Sequence, residues 1–362
     1  GTLAANIEAI DYPQGKMDIM IVCEPDDLAT ITAARKLNNK NIRVFITSGS
    51  GPRTKPNAMN AAMTAVRGDI ITVYDAEDRP HPNQLRAAAH AMTTNPRLAV
   101  VQAPLTYYNA RQNWLTRQFT LEYAALFHVW IPFLAKINLP FPLGGTSNHI
   151  RRTALEAVGG WDAYNVTEDA DLSFRFIARG WGLGYITPPT HEEAVWNFKA
   201  WRGQRSRWMK GYIQTWVTHM KRPLMPGGIK GAIRFLTLQL TVGVTLIAGI
   251  FHVPAFFCVG ALTAYHIING STALPHRIFL ITLAISYAAG IIIGMVGAVR
   301  AQQPKLTLAA FSMPIYWLLL WTPSLTALKE LRRKPFHWNK TEHGDRERAL
   351  SEETSALESN AA

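Results

Sequence analysis

The chain has 362 residues, enough for one large domain or two of ordinary size. Lysine and arginine outnumber aspartate and glutamate by 37 to 25, and the net charge of +12 suits a nucleic acid, an anionic membrane surface or an anionic substrate. The two cysteines lie far apart, at positions 23 and 258, which excludes a disulfide framework and a cysteine-rich metal site.

The first part of the chain alternates short apolar runs with segments of helical spacing. The apolar runs predict strands at 17–23, 42–47, 69–74 and 98–103. Helices are predicted between them, at 28–37, 57–66 and 83–92. This alternation predicts an α/β domain with a parallel, doubly wound sheet, in which ligands bind beyond the carboxyl ends of the strands.

Two acidic turns and a basic loop lie at that edge of the predicted sheet. Asp26 and Asp27 follow the first strand, and Asp75 and Glu77 follow the third. Asp75 and Glu77 offer the paired hard oxygen ligands that Mg²⁺ or Mn²⁺ takes when it also binds a diphosphate. The loop at 48–57, which carries Arg53 and Lys55, supplies positive charge for phosphate oxygens.

Residues 111–139 form a long helical stretch with an aromatic, amphipathic character. Its aromatic residues include Trp114, Phe119, Tyr123, Phe127 and Trp130. Such a stretch is either a core helix or a helix at the membrane interface, where tryptophan and tyrosine are enriched, and both interpretations stay open. The glycine-containing segment 140–150 that follows predicts a loop of close approach before the next acidic turn.

The segment Thr167-Glu168-Asp169-Ala170-Asp171 opens another predicted helix. Acids in a first turn are favoured by the helix dipole, so capping explains at least one of them, most simply Asp171 or Glu168. Asp169 is a third carboxylate, distant in sequence from Asp75 and Glu77, and is available as a general base. A strand is predicted next, at 180–187.

A helix predicted from Trp201 to Met220 carries basic and aromatic residues together in its first turns. Stacking and phosphate contacts with a nucleic acid would use such residues. A diphosphate and a sugar ring would use them equally well, with Arg207 stabilising charge and Trp208 offering a flat surface. Gln204 completes the pattern Gln-x-x-Arg-Trp.

The C-terminal part of the chain is strongly apolar. There is no charged residue between Arg234 and Arg277, and 278–299 and 306–328 are also uncharged. A bilayer core takes about 20 helical residues, so these runs predict membrane spans. With a break at Pro254, four spans are expected, at 235–252, 254–270, 278–299 and 306–328.

Charges beside the apolar runs predict the orientation. The basic cluster 329–334 marks its side of the membrane as cytoplasmic, and four spans then place Arg300 and Lys305 on the opposite side. Three spans would instead expose the basic cluster. Because the positive charge lies largely beside the apolar runs, anionic lipid is a simpler partner than nucleic acid. The end of the chain is expected to be disordered.

The order of these motifs resembles that of the membrane-embedded, processive family 2 glycosyltransferases, which include cellulose, curdlan and hyaluronan synthases. The resemblance covers about residues 10–345, and several phrases look like one bacterial subgroup: 75–80, 143–149, 165–171 and 334–344. It implies a GT-A-like mixed-sheet domain at 1–222, transmembrane helices within 223–328 and a basic cytoplasmic tail at 329–362.

The resemblance also implies roles for individual residues. Asp27 would contact the nucleotide base, while Lys55, Asp75 and Arg207 would bind the diphosphate. Mg²⁺ or Mn²⁺ would be held by Asp75 and Glu77; Glu77 stands where aspartate is usual, which leaves Asp78 as an alternative. Asp169 would be the catalytic base. The remaining motif residues would contact the acceptor or the product: Gln204, Trp208 and Glu168.

The implied activity is an inverting transfer of sugar from a nucleotide-sugar donor, such as a UDP-sugar, onto a growing polysaccharide at the bacterial inner membrane. Membrane lipids and accessory export or regulatory subunits are expected partners, and nucleic acid is not. The alternatives are single transfer onto a lipid-linked acceptor and a nucleotide-binding transporter. The family's Pro-x-x-Asn-Glu loop has no counterpart before Ile19, and the chain opens at Gly1, so we expect a truncated N-terminus.

Overall fold

The computed structural model describes residues 2–37, 42–221, 228–270 and 273–334. The strands are β1 (Ile19–Cys23), β2 (Ile42–Ile46), β3 (Ile70–Val73), β4 (Arg79–Pro80), β5 (Leu98–Gln102), β6 (Leu105–Tyr107), β7 (Asn148–Arg151), β8 (Gly182–Tyr185) and β9 (Thr190–Glu192). The helices of the α/β part are α1 (Thr2–Glu8), α2 (Leu28–Arg35), α3 (Lys55–Ala62), α4 (Gln84–Thr94), α5 (Trp114–Ala125), α6 (Ile131–Lys136), α7 (Arg152–Ala157), α8 (Glu168–Ala178) and α9 (Phe198–Met220).

The helices that follow are α10 (Ile229–Leu238), α11 (Val244–Ile268), α12 (Leu274–Arg300), α13 (Met313–Leu319) and α14 (Trp321–Arg333). Two π-helical segments, Leu126–Trp130 and Gln239–Gly243, make α5 continuous with α6 and α10 continuous with α11. Short 3-10 segments lie at Gln14–Lys16 and Pro304–Ser312.

The central sheet has the strand order β3-β7-β5-β8 and is mixed. β7 runs antiparallel to both β3 and β5, whereas β5 and β8 are parallel. β1 and β2 form a separate parallel pair, and β4, β9 and β6 form a small third sheet. The predicted GT-A-like α/β fold class is therefore confirmed, but a wholly parallel sheet is wrong, because the segment predicted as a loop at 140–150 contributes the antiparallel strand β7.

The main core lies between the central sheet and the helices packed on it. Ile150 of β7, Val100 of β5 and Leu183 of β8 are buried from the sheet side. Leu172 and Phe176 of α8 meet them, as the helical spacing of that segment predicts. Burying each such side chain contributes about 1.5–3 kcal/mol, so the sheet and α8 are held in a fixed relation.

The long aromatic stretch predicted at 111–139 is a core helix in its first half. α5 begins with a capping box, in which the Asn113 side chain accepts from the Thr116 amide at 2.9 Å and the Thr116 hydroxyl accepts from the Asn113 amide at 3.0 Å. Phe119 and Leu121 are then fully buried. The second half differs, since Trp130 and Phe133 are exposed. The interface interpretation therefore stays open from Trp130 onward, whereas α5 is a core helix.

Within the described ranges, three helical stretches are long and apolar enough to cross a membrane: Ile229–Ile268, Leu274–Arg300 and Pro304–Arg333. The expected pair of spans at 235–252 and 254–270 is thus wrong, because Pro254 lies inside α11 without ending it. Apolar membrane helices tolerate proline, since neighbouring helices and local adjustments satisfy the freed backbone groups.

α11 and α12 form an antiparallel hairpin. His252 contacts the Tyr287 hydroxyl, while Thr263, further along α11, lies 3.1 Å from His276 near the start of α12. The far end of α12 returns to the α/β domain, where Arg300 donates to the His128 carbonyl at 3.2 Å. The expectation that Arg300 lies across the membrane from the domain is therefore wrong.

The last apolar stretch packs along the α/β domain. Ala310 and Met313 lie against α5, and Pro323 and Ala327 are buried towards α9 and α11. Leu308, Phe311 and Ile315 stay exposed on the opposite side. The predicted disordered end lies outside the described residues, as does most of the tail predicted at 329–362.

Candidate active site

Lys55 and Asp75 form the centre of the site. Lys55 is the first residue of α3, two residues before the predicted helix start, and Asp75 follows β3. The Lys55 ammonium donates to Asp75 Oδ1 and, at 2.8 Å, to the Gly145 carbonyl. Burial by itself would lower the pKa of Lys55, but the charges of Asp75 and Glu168 hold it above its usual value. Lys55 is therefore a fixed positive charge.

Asp169, in the first turn of α8, lies in the same site although it is distant from Lys55 and Asp75 in the sequence. A β-carbon built on Gly145 would lie 3.5 Å from Asp169 Oδ2, so no side chain separates the carboxylate from the loop that accepts from Lys55. The structure thus brings three predicted site residues, Lys55, Asp75 and Asp169, together around Gly145. The predicted close approach of the 140–150 loop is the contact that joins them.

The acids of the Thr167–Asp171 turn divide into two kinds. Asp171 is structural: it accepts from Arg175 Nε at 2.6 Å and lies 3.0 Å from His219 Nε2. Glu168 is buried and Asp169 half-buried at the first turn of α8. Burial raises the pKa of both carboxyls, and the charge of Asp169 adds to the effect on Glu168. A carboxylate with a raised pKa is a stronger proton acceptor than an exposed one.

Helix α9 is locked onto this acidic turn. A β-carbon on Gly211 would lie 2.3 Å from the Thr167 hydroxyl oxygen, so this crossing requires glycine. The side-chain amide of Asn165 donates to the Thr215 hydroxyl at 3.0 Å, and the side-chain oxygen of Gln214 accepts from the Val166 backbone amide at 3.2 Å. These contacts fix the angle at which α9 presents its side chains to Asp169.

The three Gln-x-x-Arg-Trp side chains project from that part of α9. Burial lowers the pKa of Arg207, while the charges of Glu168, Asp75 and Asp169 act in the opposite sense, which places its guanidinium among the predicted site acids. The Gln204 side-chain oxygen is buried without a hydrogen-bond partner in the described part of the chain. Trp208 lies 5.9 Å from Phe119 and 6.0 Å from Tyr123, measured between ring centroids.

The acids after β3 have different environments. Asp78 is 2% exposed, and its Oδ2 accepts from the Asp75 amide at 2.7 Å and from the Thr146 hydroxyl. Burial, together with the charge of Asp75, raises the pKa of Asp78 to about 7. Asp78 therefore holds the turn, and the half-exposed Glu77 has the more accessible carboxylate of the two.

No group of three or more histidine, cysteine or acidic side chains in the described ranges could hold a metal ion alone. Two carboxylates with the remaining ligands supplied by substrate phosphates and water is the usual arrangement for Mg²⁺. Asp75 and Glu77 fit that donor set.

Asp27 has a local structural role. Its carboxylate accepts from the Thr30 amide at 3.0 Å and from the Thr30 hydroxyl at 2.7 Å, which caps α2. Arg53 pairs with Asp26 at 2.6 Å near the surface. The predicted contact of Asp27 with a nucleotide base stays a prediction.

Two residues near the site escaped the sequence reasoning. Glu192 lies opposite Tyr107 in the small sheet, and its Oε1 is buried without a hydrogen-bond partner among the residues described. Burial and the charges of Asp78 and Asp75 raise its pKa. Arg205 lies between the Gln-x-x-Arg-Trp positions and is buried. The acidic pair 192–193 at a strand end and the extra arginine inside the motif were the available signals.

Comparison with known proteins assigns the family. The model of the family described as "Glycosyl transferase family group 2" matches residues 70–328. Beta-monoglucosyldiacylglycerol synthase of Synechocystis sp. is 25% identical over 369 residues, which cover 95% of this chain and 72% of the relative. The cellulose synthase catalytic subunit of Xanthomonas axonopodis pv. citri is 27% identical over 235 residues, 63% of this chain and 31% of the relative.

Among solved structures, the mannosyltransferase PcManGT from Pyrobaculum calidifontis, in complex with GDP-Man and Mn²⁺, has a TM-score of 0.54 and 16% identity. The match covers 87% of this chain and 81% of that chain, and it shows a shared fold. The family match extends from β3 into α14 and includes Asp75, Asp169 and Arg207. This protein therefore belongs to glycosyl transferase family group 2 and is a glycosyltransferase.

Proposed function

We propose that the protein transfers a sugar from a nucleotide-sugar donor, with inversion, onto a polysaccharide that grows at the bacterial inner membrane. The observation that carries this proposal is the convergence of Lys55, Asp75 and Asp169 around Gly145. A fixed cation and a metal-binding acid on one side of a carboxylate base are the groups that a displacement at an anomeric carbon requires.

On the donor side, Asp75 and Glu77 would hold Mg²⁺ or Mn²⁺. The metal supplies positive charge next to the nucleoside diphosphate that leaves. Lys55 and Arg207 donate to the phosphate oxygens and stabilise the same charge, and Asp27 contacts the base. The mannosyltransferase of similar fold, solved in complex with GDP-Man and Mn²⁺, supports a metal-bound nucleotide sugar.

On the acceptor side, Asp169 takes the proton from the acceptor hydroxyl as that oxygen attacks the anomeric carbon. Trp208 offers its ring face to the acceptor sugar. The buried, unpartnered oxygen of Gln204 is positioned to accept from a sugar hydroxyl, and Glu168 contacts the same ligand. Unsatisfied buried polar atoms are costly unless a ligand pairs with them, which favours a ligand role for Gln204.

A second candidate is single transfer onto a lipid acceptor. The diacylglycerol-modifying relative matches 95% of this chain, whereas the cellulose synthase match covers 63%. Exposed apolar residues of the helical hairpin, such as Phe257 and Ile268, would keep the site close to a lipid substrate. Because the chain belongs to a glycosyltransferase family, the alternative of a nucleotide-binding transporter is dropped.

The proposed location is the cytoplasmic face of the membrane. α11 alone has 25 residues, so the hairpin is about 37 Å long and exceeds the roughly 30 Å of a bilayer core. Arg300 and Lys305 lie at the end of this hairpin that meets the α/β domain. Positive charge beside a membrane span favours the cytoplasmic side, so the domain would face the cytoplasm. We also propose that membrane lipids contact the hairpin and that accessory export or regulatory subunits associate with the enzyme.

The test incubates membranes containing the full-length protein with a panel of labelled UDP- and GDP-sugars, with and without EDTA. The proposal expects metal-dependent incorporation from one donor into a high-molecular-mass product on a gel. Incorporation into material that extracts into organic solvent would support the lipid acceptor instead. Nucleotide-sugar binding without incorporation into either fraction would contradict both.

A further inference from the structure

Arg205 is the centre of a buried polar cluster that joins three helices. It is 6% exposed, and its guanidinium donates to Glu122 of α5 through both terminal nitrogens, one of them at 2.7 Å. The Tyr316 hydroxyl of α13 accepts from Arg205 at 2.8 Å and donates to Glu122 at 2.8 Å. Trp201 of α9 donates to the same hydroxyl oxygen at 3.1 Å. We call these four residues the Arg205 cluster.

The cluster also holds a ring of the proposed acceptor site. The Arg205 guanidinium carbon lies 4.7 Å from the centroid of the Trp208 ring and 4.5 Å from that of Phe119. A guanidinium at this distance from an aromatic ring is attracted by it, more strongly when both are removed from water. Arg205 therefore restricts the positions that the Trp208 ring can take.

Tyr316 comes from the last apolar stretch, and further polar contacts follow on the same side of α9. The Ser206 hydroxyl donates to the Pro323 carbonyl at 3.2 Å, and the fully buried Lys210 pairs with Glu330 at 3.1 Å. Polar contacts to α13 and α14 thus follow the turns that carry Gln204, Arg207 and Trp208. This stretch lies along the catalytic domain as well as beside the hairpin.

We propose that Arg205 is a positioning residue for the acceptor, fixed by Glu122 and Tyr316 and acting through the Trp208 ring. The last apolar stretch, Pro304–Arg333, is then part of the acceptor site as well as a candidate membrane element. This inference rests on the proposed function, because it takes Trp208 as an acceptor-binding residue. A purely structural cluster would instead affect donor and acceptor alike through folding.

The test uses full-length enzyme in lipid nanodiscs, with Tyr316→Phe, Arg205→Lys, Trp208→Ala and the double variant Tyr316→Phe/Trp208→Ala. Tyr265→Phe is the matched control, because Tyr265 is 60% exposed on α11 and lies outside the cluster. UDP with Mn²⁺ is the probe for donor binding, and diacylglycerol and a soluble glucan oligosaccharide are the acceptor probes. Thermal unfolding is measured for every variant.

Tyr316→Phe removes the hydroxyl that bonds Arg205, Glu122 and Trp201, and we expect the acceptor KM to rise about tenfold. The dissociation constant of UDP and the kcat at saturating acceptor should stay within about twofold of the parent enzyme. Arg205→Lys keeps the charge but loses the planar fork, so it should raise the acceptor KM at least as much. In Trp208→Ala, adding Tyr316→Phe should change little, because the ring on which Tyr316 acts is already absent.

Three outcomes would overturn the inference. The first is additivity of Tyr316→Phe and Trp208→Ala, and the second is an Arg205→Lys enzyme with the parent acceptor KM. The third is a loss of UDP binding that parallels the loss of acceptor binding. A Trp208→Ala enzyme with unchanged acceptor KM would refute the proposed acceptor role of Trp208 itself and the inference with it, whereas normal Tyr316→Phe kinetics beside a damaged Trp208→Ala refute the inference alone.

Discussion

In the proposed mechanism, Asp169 combines burial with a requirement to be ionised. Burial raises its pKa, so the carboxylate gains its proton at a higher pH than an exposed aspartate, whose pKa is about 3.9. A general base works only when deprotonated, so activity should be present above the raised pKa and be lost as the pH falls through it. We expect the acid limb of kcat/KM to lie clearly above pH 4.

The measurement is a pH profile of sugar transfer at saturating metal. Asp169→Asn is the companion variant: it should lower kcat by about 10²- to 10⁴-fold and leave UDP binding intact. A profile that is flat down to pH 4, or an Asp169→Asn enzyme with near-normal turnover, would remove Asp169 from the role of base.

Glu77 and Asp78 offer a direct comparison of neighbouring acids. Glu77 is half-exposed, whereas Asp78 is buried and accepts from the Asp75 amide. Glu77→Gln should therefore raise the metal concentration needed for half-maximal activity by about tenfold or more, with little change in Tm. Asp78→Ala should mainly lower the Tm, because the Asp75 amide and the Thr146 hydroxyl lose their buried acceptor. Metal titrations and thermal unfolding of both variants check this, and the reverse pattern would make Asp78 the ligand.

The candidate site residues that belong to spaced motifs could be predicted from the sequence, whereas residues whose surroundings depend on packing could not. Asp75, Asp169 and Arg207 stand in patterns whose chemistry can be read from residue type. Arg205 is a basic residue among several on α9, and its distinction is burial between two aromatic rings, which no residue spacing encodes. Glu192 likewise acquires its meaning from the strand opposite it.

Helix α9 carries Gln204, Arg207 and Trp208, so in the proposed function it sets the geometry between base and acceptor. Its crossing with the turn before α8 depends on Gly211, where a β-carbon would meet Thr167. Gly211→Ala should therefore destabilise the protein by about 1–3 kcal/mol through overpacking and lower sugar transfer by moving α9.

Gly203 provides the matched control in the same helix. Nothing lies within 4 Å of a β-carbon built there, so Gly203→Ala should leave stability unchanged or raise it by about 0.5–1 kcal/mol. Thermal unfolding and transfer rates of the two variants are compared. Equal Tm values for the two would show that the crossing at Thr167 is not tightly packed.

Elements were predictable where one physical signal dominated. The strands with apolar runs, such as β1 and β5, lie within two residues of their predicted positions. β7 escaped because its sequence, Asn-His-Ile-Arg, is polar and yet mostly buried, and polar residues in a glycine-containing segment indicate a loop. A break is predicted at Pro254 because proline ends helices in water, although an apolar membrane helix tolerates it.

At the scale of the molecule, the described residues form an α/β domain, a hairpin and a returning helix. If the hairpin crosses the membrane, its tip and its base lie in different compartments. In a background without Cys258, Asn269→Cys should react with a membrane-impermeant maleimide on intact cells. Lys305→Cys should react only after lysis, because it lies beside Arg300 at the domain end.

Both positions are exposed on the protein surface, so lack of labelling reports the membrane and not burial. Labelling of Lys305→Cys on intact cells would restore the four-span arrangement. Equal behaviour of the two cysteines before lysis would show that the hairpin does not cross.

The Arg205 cluster also bears on the order in which the chain is made. Synthesis runs from the N-terminus, so Glu122 and Arg205 leave the ribosome well before Tyr316, which follows the hairpin. Until Tyr316 packs against α9, the Arg205 guanidinium lacks one of its hydrogen-bond partners and holds the Trp208 ring less firmly. If Arg205 positions the acceptor as proposed, the nascent enzyme can complete its acceptor site only after both arms of the hairpin have been translated.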